Sequence, residues 1–105
     1  MYLAKVIGQV VSTKKEESLH GRRLVILRPQ LVDIKNPAAF KDGVNTIVAI
    51  DTLGVGTGEM VLFVQGSSAR QVQGLKQVPV DASVVGIVDS VNTLGKLTYN
   101  SSGKS

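Results

Sequence analysis

The apolar residues of this chain recur at every second position or in short unbroken runs, and not with the spacing of a helix. Period-two patterning predicts β-strands, and the glycine, proline and polar clusters between the runs predict turns. Both faces of the first strand are largely apolar, so we expect it to be covered on both sides. The predicted strands are residues 2–13, 23–28, 46–53, 60–64, 82–91 and 96–99.

The connections between these strands are predicted from their turn-forming residues. Pro29 is expected to end the second strand, because proline cannot donate a hydrogen bond to a strand ladder. Residues 33–45 are expected to form a loop, and residues 16–21 and 92–95 are expected to form turns.

One short helix is predicted after the fourth strand. Gly66 permits an abrupt change of direction, Ser67 can cap the first helical turn, and Gly74 would end the helix. Five or six short strands with one short helix fit a mainly β protein, a small closed β-barrel similar to an OB-fold. Closure of the barrel also removes exposed strand edges, which favour aggregation in a valine-rich chain.

The composition limits the class of protein. A chain of 105 residues can build one core but not two. Only 4% of the residues are aromatic and there is no Trp or Cys, so the core is expected to be aliphatic, without a disulfide framework. Residues 1–99 are predicted to form a single β-barrel domain, and residues 100–105 a flexible C-terminal tail.

Charge and hydropathy indicate a solvated surface. The first residues lack the apolar core of a signal peptide, and no run reaches the ~18 apolar residues that span a bilayer. We therefore expect a cytoplasmic protein that contacts no membrane. The net charge of +4 raises the question of nucleic acid, but the basic residues are scattered, and Lys14 and Lys15 are followed directly by Glu16 and Glu17.

The glycine loop, residues 54–58 with the sequence GVGTG, resembles a phosphate-binding loop only superficially. A Walker loop needs a Gly-Lys-Ser/Thr ending that opens a helix, and here Gly58 is followed by Glu59 and a predicted strand. A dinucleotide fingerprint needs a different glycine spacing. A turn with positive φ, or the close approach of a neighbouring backbone, is the favoured interpretation.

Several side chains could carry chemistry, but each has a simpler structural interpretation. Asp51 and Glu59 flank the glycine loop, and Asp81 and Asp89 flank the last long strand. Such acids can cap turns, pair with Arg70 or a lysine, or lie on the surface, and these structural roles are favoured over an acid–base pair. His20 stands alone, so no metal site is predicted. We predict no catalytic residue, cofactor or metal.

The serine pair Ser67–Ser68 is not part of a Gly-x-Ser-x-Gly nucleophile elbow. Arg70, on the predicted helix, could bind an anion or pair with an acid of a neighbouring subunit, and we favour the pairing.

Three stretches of the chain resemble the EutN/CcmL family of bacterial microcompartment vertex proteins. They are residues 3–15 (LAKVIGQVVSTKK), residues 48–70 (VAIDTLGVGTGEMVLFVQGSSAR) and residues 79–91 (PVDASVVGIVDSV). The second resembles the family's central signature, although Val55 stands where the family usually has Ala. Residues 29–46 lack a clear match and are expected to form a variable loop.

The resemblance implies a structural shell protein and not an enzyme. Five copies would form a ring that caps a vertex of the microcompartment shell, beside hexameric and trimeric shell proteins. A ring needs one patch that docks on a different patch of the next subunit. The candidate residues for this contact are Gly54, Gly56, Gly58, Glu59, Gly66, Ser67, Ser68 and Arg70.

Two rival functions stay open at this point. An OB-like nucleic-acid-binding domain would present aromatic residues on an exposed sheet face, and here Phe63 lies inside an apolar run. A small enzyme or regulator with an anion site at residues 67–70 is the second alternative.

Overall fold

The structure, a computed structural model, describes residues 1–12, 17–19, 21–66, 69 and 81–102. These residues form eight strands and one 3-10 turn at Glu17–Leu19. The strands are β1 (Tyr2–Val10), β2 (Arg23–Val32), β3 (Phe40–Asp42), β4 (Ile47–Asp51), β5 (Met60–Gln65), β6 (Ala82–Ile87), β7 (Ser90–Thr93) and β8 (Lys96–Asn100).

Five of the strands close into a barrel in the order β1–β5–β6–β4–β2, and β2 pairs back onto β1. The pairs are antiparallel except that of β4 with β6, which run parallel. The predicted mainly β fold with a small closed barrel is therefore confirmed. Among the described residues, no helix has the length and apolarity that crossing a membrane requires.

The barrel encloses an almost wholly aliphatic core. In β1 and β2 the buried residues alternate with more exposed ones, as the period-two pattern predicts, whereas β4, β5 and β6 each have consecutive buried residues. The main cluster consists of Ala4, Val6, Val25, Leu27, Ala49, Val55, Val61, Phe63, Ala82 and Val84. Phe63 is its one aromatic member and is 1% exposed.

Pro29 does not end the second strand, contrary to the prediction. Strand β2 continues through it to Val32. Pro29 is the last residue of β2 that pairs with β1, opposite Ala4, and the next residue, Gln30, is the first that pairs with β3. Its carbonyl accepts a hydrogen bond from the N–H of Gly43 at 2.8 Å. Proline is tolerated because it lies where the strand exchanges one partner for another.

Two further predictions of element boundaries were wrong. The predicted loop at residues 33–45 contains β3, which pairs with the end of β2. The predicted strand at residues 82–91 is interrupted: β6 ends at Ile87, and the N–H of Val88 donates to the carbonyl of Met60 at 2.8 Å. A new strand, β7, starts at Ser90. A continuous apolar run does not reveal where a strand leaves its sheet.

Strands β7 and β8 form a hairpin separate from the barrel sheet. Its two-residue turn has positive φ at both Leu94 (51°) and Gly95 (77°), which matches the twist of an antiparallel hairpin. The hydroxyl of Thr98 donates to the carbonyl of Pro37 at 2.6 Å and so joins the hairpin to the loop before β3. The predicted last strand at residues 96–99 is confirmed.

Some predictions concern residues outside the described ranges. The helix predicted after Gly66 lies there for the most part. Residues 103–105 of the predicted tail do so as well, whereas Asn100 is the last residue of β8. The N–H of Ser101 donates to the carbonyl of Asp89 at 2.8 Å. The division into a domain at residues 1–99 and a flexible tail stays a prediction.

Candidate functional site

The glycine loop begins beyond Asp51, the last residue of β4, whose carboxylate holds it in place. Oδ1 accepts hydrogen bonds from the N–H groups of Leu53 (2.9 Å) and Gly54 (3.1 Å), and Oδ2 accepts one from that of Val55 (2.9 Å). Oδ2 also accepts a hydrogen bond from Nη1 of Arg23 at 3.2 Å. The Asp51 side chain is fully buried. A buried charge needs such partners, so this carboxylate is a structural anchor.

The other end of the loop is fixed by Glu59 and by strand β1. The Glu59 carboxylate accepts a hydrogen bond from the N–H of Gly56, and the Glu59 N–H donates to the Gly56 carbonyl at 3.1 Å. The N–H of Gly58 donates to the carbonyl of Val6 at 2.7 Å, and the N–H of Val6 donates to the carbonyl of Glu59 at 2.9 Å. The loop is therefore fastened to the barrel at both ends.

Inside the loop, one residue points into the barrel, and Gly54, Thr57 and Gly58 form the outer surface. Val55 is fully buried in the main core cluster. Gly54 and Gly58 have φ values of 83° and 96°, which other residues rarely adopt. Apart from each glycine and its two chain neighbours, no described atom lies within 4 Å of the place where a Cβ would stand on either of them. These glycines serve the turn conformation and leave open, exposed backbone above the loop.

The four predicted acids do not form a constellation for proton transfer. Asp51 and Glu59 each bind amide groups of the loop between them. Asp81 and Asp89 are exposed. Among the residues that the structure describes, no three His, Asp or Glu side chains come together as they would to hold a metal ion. The arrangement stabilises a loop, and we derive no chemical step from it.

The second predicted contact segment is described only in part. Gly66 has a φ of 70°, and its N–H donates to the carbonyl of Asp81 at 2.7 Å. Ala69 is fully buried, and its carbonyl accepts a hydrogen bond from the buried hydroxyl of Ser83 at 2.9 Å. This segment is thus held against β6. Three of the predicted contact residues and the lone histidine lie outside the described residues: Ser67, Ser68, Arg70 and His20.

The sequence interpretation allowed Asp51 to cap a turn, but it expected a surface acid and missed the partner Arg23. The signal was present: in Asp-x-x-Gly, a carboxylate precedes a glycine by three residues and can bind the amides of the turn between them. Nothing in the sequence places Arg23 near Asp51, because that proximity comes from the register of β2 with β4, in which the two residues are directly opposite.

Comparison with known proteins gives consistent matches along the chain. The sequence profile of the family described as "Ethanolamine utilisation protein EutN/carboxysome" matches residues 1–89. The bacterial microcompartment shell vertex protein GrpN of Rhodospirillum rubrum is 50% identical over 94 residues, which are 90% of this chain and 99% of GrpN.

Solved structures agree with these sequence matches. The structure of CcmL from Gloeobacter violaceus superposes with a TM-score of 0.83 at 39% identity, covering 97% of this chain and 99% of that one. The structure described as the GrpN pentameric microcompartment shell protein from Rhodospirillum rubrum superposes with a TM-score of 0.74 at 44% identity, covering 90% of this chain and 99% of that one. With the match across residues 1–89 and this shared barrel, the chain belongs to the EutN/CcmL family.

Proposed function

We propose that this chain is a vertex subunit of a bacterial microcompartment shell, and that five copies form a ring that closes the shell at a vertex. The observation that carries the proposal is the similarity to GrpN, a shell vertex protein with a pentameric structure, over nearly the whole of both chains. The function is geometric: a flat sheet of hexameric tiles closes only where five-fold units interrupt it. In this proposal the protein is located in the microcompartment shell inside the cell. Its partners there are hexameric and trimeric shell proteins.

The glycine loop supports a role in assembly and not in catalysis. The carboxylates of Asp51 and Glu59 bind loop amides and Val55 fills the barrel core, while the exposed surface consists of Thr57 and of backbone at Gly54 and Gly58. Exposed backbone in a fixed conformation suits the close approach of a second chain. The loop residues of the contact are Gly54, Gly56, Gly58 and Glu59, joined by Gly66, Ser67, Ser68 and Arg70. No catalytic residue and no cofactor are part of the proposal.

The proposed contact is tested at Arg70, which we place across the protomer boundary beside an acid of the neighbour. Arg70→Glu reverses the charge, so the ring is expected to dissociate. Arg28→Lys is a control that keeps the charge at a residue whose guanidinium Nη1 already donates to the carbonyls of Gly43 and Val44. An unchanged oligomer mass for Arg70→Glu in native mass spectrometry contradicts the role of Arg70.

The shell function itself is tested by co-expression with a hexameric shell protein of the same microcompartment. Closed, faceted particles are expected in electron micrographs when this chain is present, and open sheets or tubes when it is absent. Particles that close equally well without the chain contradict the proposal.

Nucleic-acid binding is disfavoured by the position of Phe63. Its ring is 1% exposed and stacks at 5.3 Å, between ring centroids, on Tyr2, so it cannot take a base. A fluorescence titration with a single-stranded oligonucleotide at moderate salt is expected to show no saturable binding.

A further inference from the structure

The outside of the barrel carries two neighbouring rows of apolar residues. Their strand neighbours Val25, Leu27 and Ala49 are buried in the core, so the residues between them face outward. A solvated outer face normally carries polar residues, as the next row does with Lys5 opposite Arg28, but these two rows are apolar. We call these two rows the barrel face; by register they are Gly8–Ile26–Val48 and Val10–Leu24–Ile50.

The barrel face is partly open within one chain. Ile26 packs over the glycine of its row, since its Cδ1 lies 3.6 Å from where a Cβ on Gly8 would stand. Ile50 is 1% exposed, but Val48 is 50% exposed at the other end of its row. The glycine loop adjoins this surface, because β1, which carries Gly8, is also the strand to which Gly58 is bonded.

A second apolar surface lies outside the barrel. We call it the extension and define it as residues 31–42 and 90–100, which comprise the end of β2, β3 and the β7–β8 hairpin. The two segments are joined by the hydrogen bond from Thr98 to Pro37. Both segments are described in full, and neither contains a buried residue. Four large apolar side chains are exposed here: Leu31 (47%), Val32 (41%), Ile34 (74%) and Leu94 (71%).

The dimensions of the chain agree with such an extension. Its principal extents are 45 × 23 × 23 Å, and its radius of gyration is 14.5 Å. A compact domain of this length would have a radius of gyration of about 13 Å. A two-stranded hairpin is marginally stable in water by itself, and three strands or a packed face are needed for independent stability. The extension therefore requires a surface to pack on.

The barrel face of the same chain cannot be that surface. Val48 pairs with Ile26, and Leu31 lies five residues further along β2. At about 3.3 Å per residue, Leu31 and Val48 of one chain are about 17 Å apart. Leu31 is therefore beyond contact distance of Val48 in the same chain, whereas the barrel face of another copy is a surface that the extension can reach.

We propose that in the ring the extension of each protomer packs on the barrel face of the next protomer. The proposal rests on the proposed pentameric function, which makes the occupant a second copy of this chain. A ring is built from a head-to-tail contact between two different patches, and the extension and the barrel face are two different apolar patches on one chain. In this contact the extension of one protomer and the barrel face of the next bury each other's exposed apolar side chains. When the ring is closed, both patches of every protomer are covered.

Cross-linking tests this contact directly, because the chain has no cysteine and therefore no background. The double variant L31C/V48C is treated with a bis-maleimide shorter than the separation of these two residues within a chain. A head-to-tail contact then gives a ladder of covalent species up to five chains on a denaturing gel. The single variants L31C and V48C give no ladder, and neither does the control L31C/I87C, whose second site is 45% exposed on β6.

A charge on the barrel face provides the second test. Val48→Glu is expected to abolish the five-chain species in native mass spectrometry, with an unchanged far-ultraviolet circular dichroism spectrum because the site is half exposed. Ile87→Glu, the control, is expected to keep the ring. The inference is overturned if L31C/V48C treated with the cross-linker gives only a monomer band and Val48→Glu still forms the ring. That result would not contradict the pentamer itself. An unmodified chain that forms no ring overturns the proposed function instead.

Discussion

At the scale of single residues, the glycine loop shows how two carboxylates can shape a surface without doing chemistry. The buried Asp51 carboxylate accepts hydrogen bonds from three amides and one guanidinium. The Glu59 carboxylate accepts a hydrogen bond at the other end of the loop. Val55, held by Asp51, adds a side chain to the core cluster. The hydrogen bonds of Asp51 and Glu59 thus determine which backbone groups of the glycine loop face outward.

Replacing Asp51 by Ala is expected to lower the free energy of unfolding by about 3 kcal/mol, because three loop amides and the Arg23 guanidinium lose their acceptor. Asp33→Ala is the matched control: its Oδ1 also accepts a backbone hydrogen bond, from the N–H of Lys35 at 3.0 Å, but at an exposed site. That change is expected to cost less than about 1 kcal/mol. Urea unfolding at equal chain concentration gives both values, and equal losses would contradict the anchor role.

Gly54→Ala is expected to cost about 1 kcal/mol through its positive φ, since within one chain open space surrounds the site, and the proposed contact with a second chain at this residue would add to that cost. Gly86→Ala is the control, because its φ is not positive and its new Cβ would meet Leu62 Cδ1 at an ordinary 3.6 Å. We expect the control to unfold at nearly the same urea concentration as the parent. A neutral Gly54→Ala would show that the loop does not need this conformation.

The sequence could predict these glycines but not the anchoring of the loop. Glycines at alternate positions between two strands indicate a turn with positive φ, and Gly54 and Gly58 have it. The ion pair of Asp51 with Arg23 depends on the pairing of β2 with β4. Residues 28 positions apart meet only through the fold, so a local pattern cannot reveal them.

At the scale of secondary-structure elements, the two-residue spacing of the apolar side chains predicts the barrel strands. The predicted boundaries are wrong where a strand changes its partner. Pro29 marks the exchange from β1 to β3, and Val88 marks the end of the β5–β6 pairing. Strand β3 has three residues with one partner strand, so it leaves almost no periodic signal. The parallel pairing of β4 with β6 is determined by the tertiary fold, and the sequence of neither strand predicts it.

The hairpin of the extension is expected to loosen when its link to the loop before β3 is removed. Thr98→Val keeps the shape of the side chain but loses both the hydrogen bond to the Pro37 carbonyl and the one between the hydroxyls of Thr98 and Thr93 at 2.7 Å. The loss of these two hydrogen bonds, about 1 to 2 kcal/mol, corresponds to roughly five- to thirtyfold faster amide exchange in β7 and β8. Thr52→Val, at an exposed residue of the glycine-loop region, is the control and should leave hairpin exchange unchanged. Equal exchange rates in both variants would show that these hydrogen bonds do not hold the hairpin.

At the scale of the whole molecule, this chain has more apolar surface than one barrel interior can hide. The sequence indicated this excess through a first strand with two apolar faces. Among the described residues, five of the twelve exposed large apolar side chains lie on the barrel face and the extension. Which patch meets which could not be predicted, because the extension forms only when β3 and the hairpin come together through Thr98 and Pro37. Two unlike patches on one chain permit a head-to-tail contact, which closes into a ring when the rotation between successive copies allows it.

The most direct test of this account is the mass of the unmodified assembly, measured by native mass spectrometry on the full chain. We expect one dominant species at five times the chain mass of 11.1 kDa. A dominant single chain, or a six-chain species, would contradict the proposed five-fold vertex role.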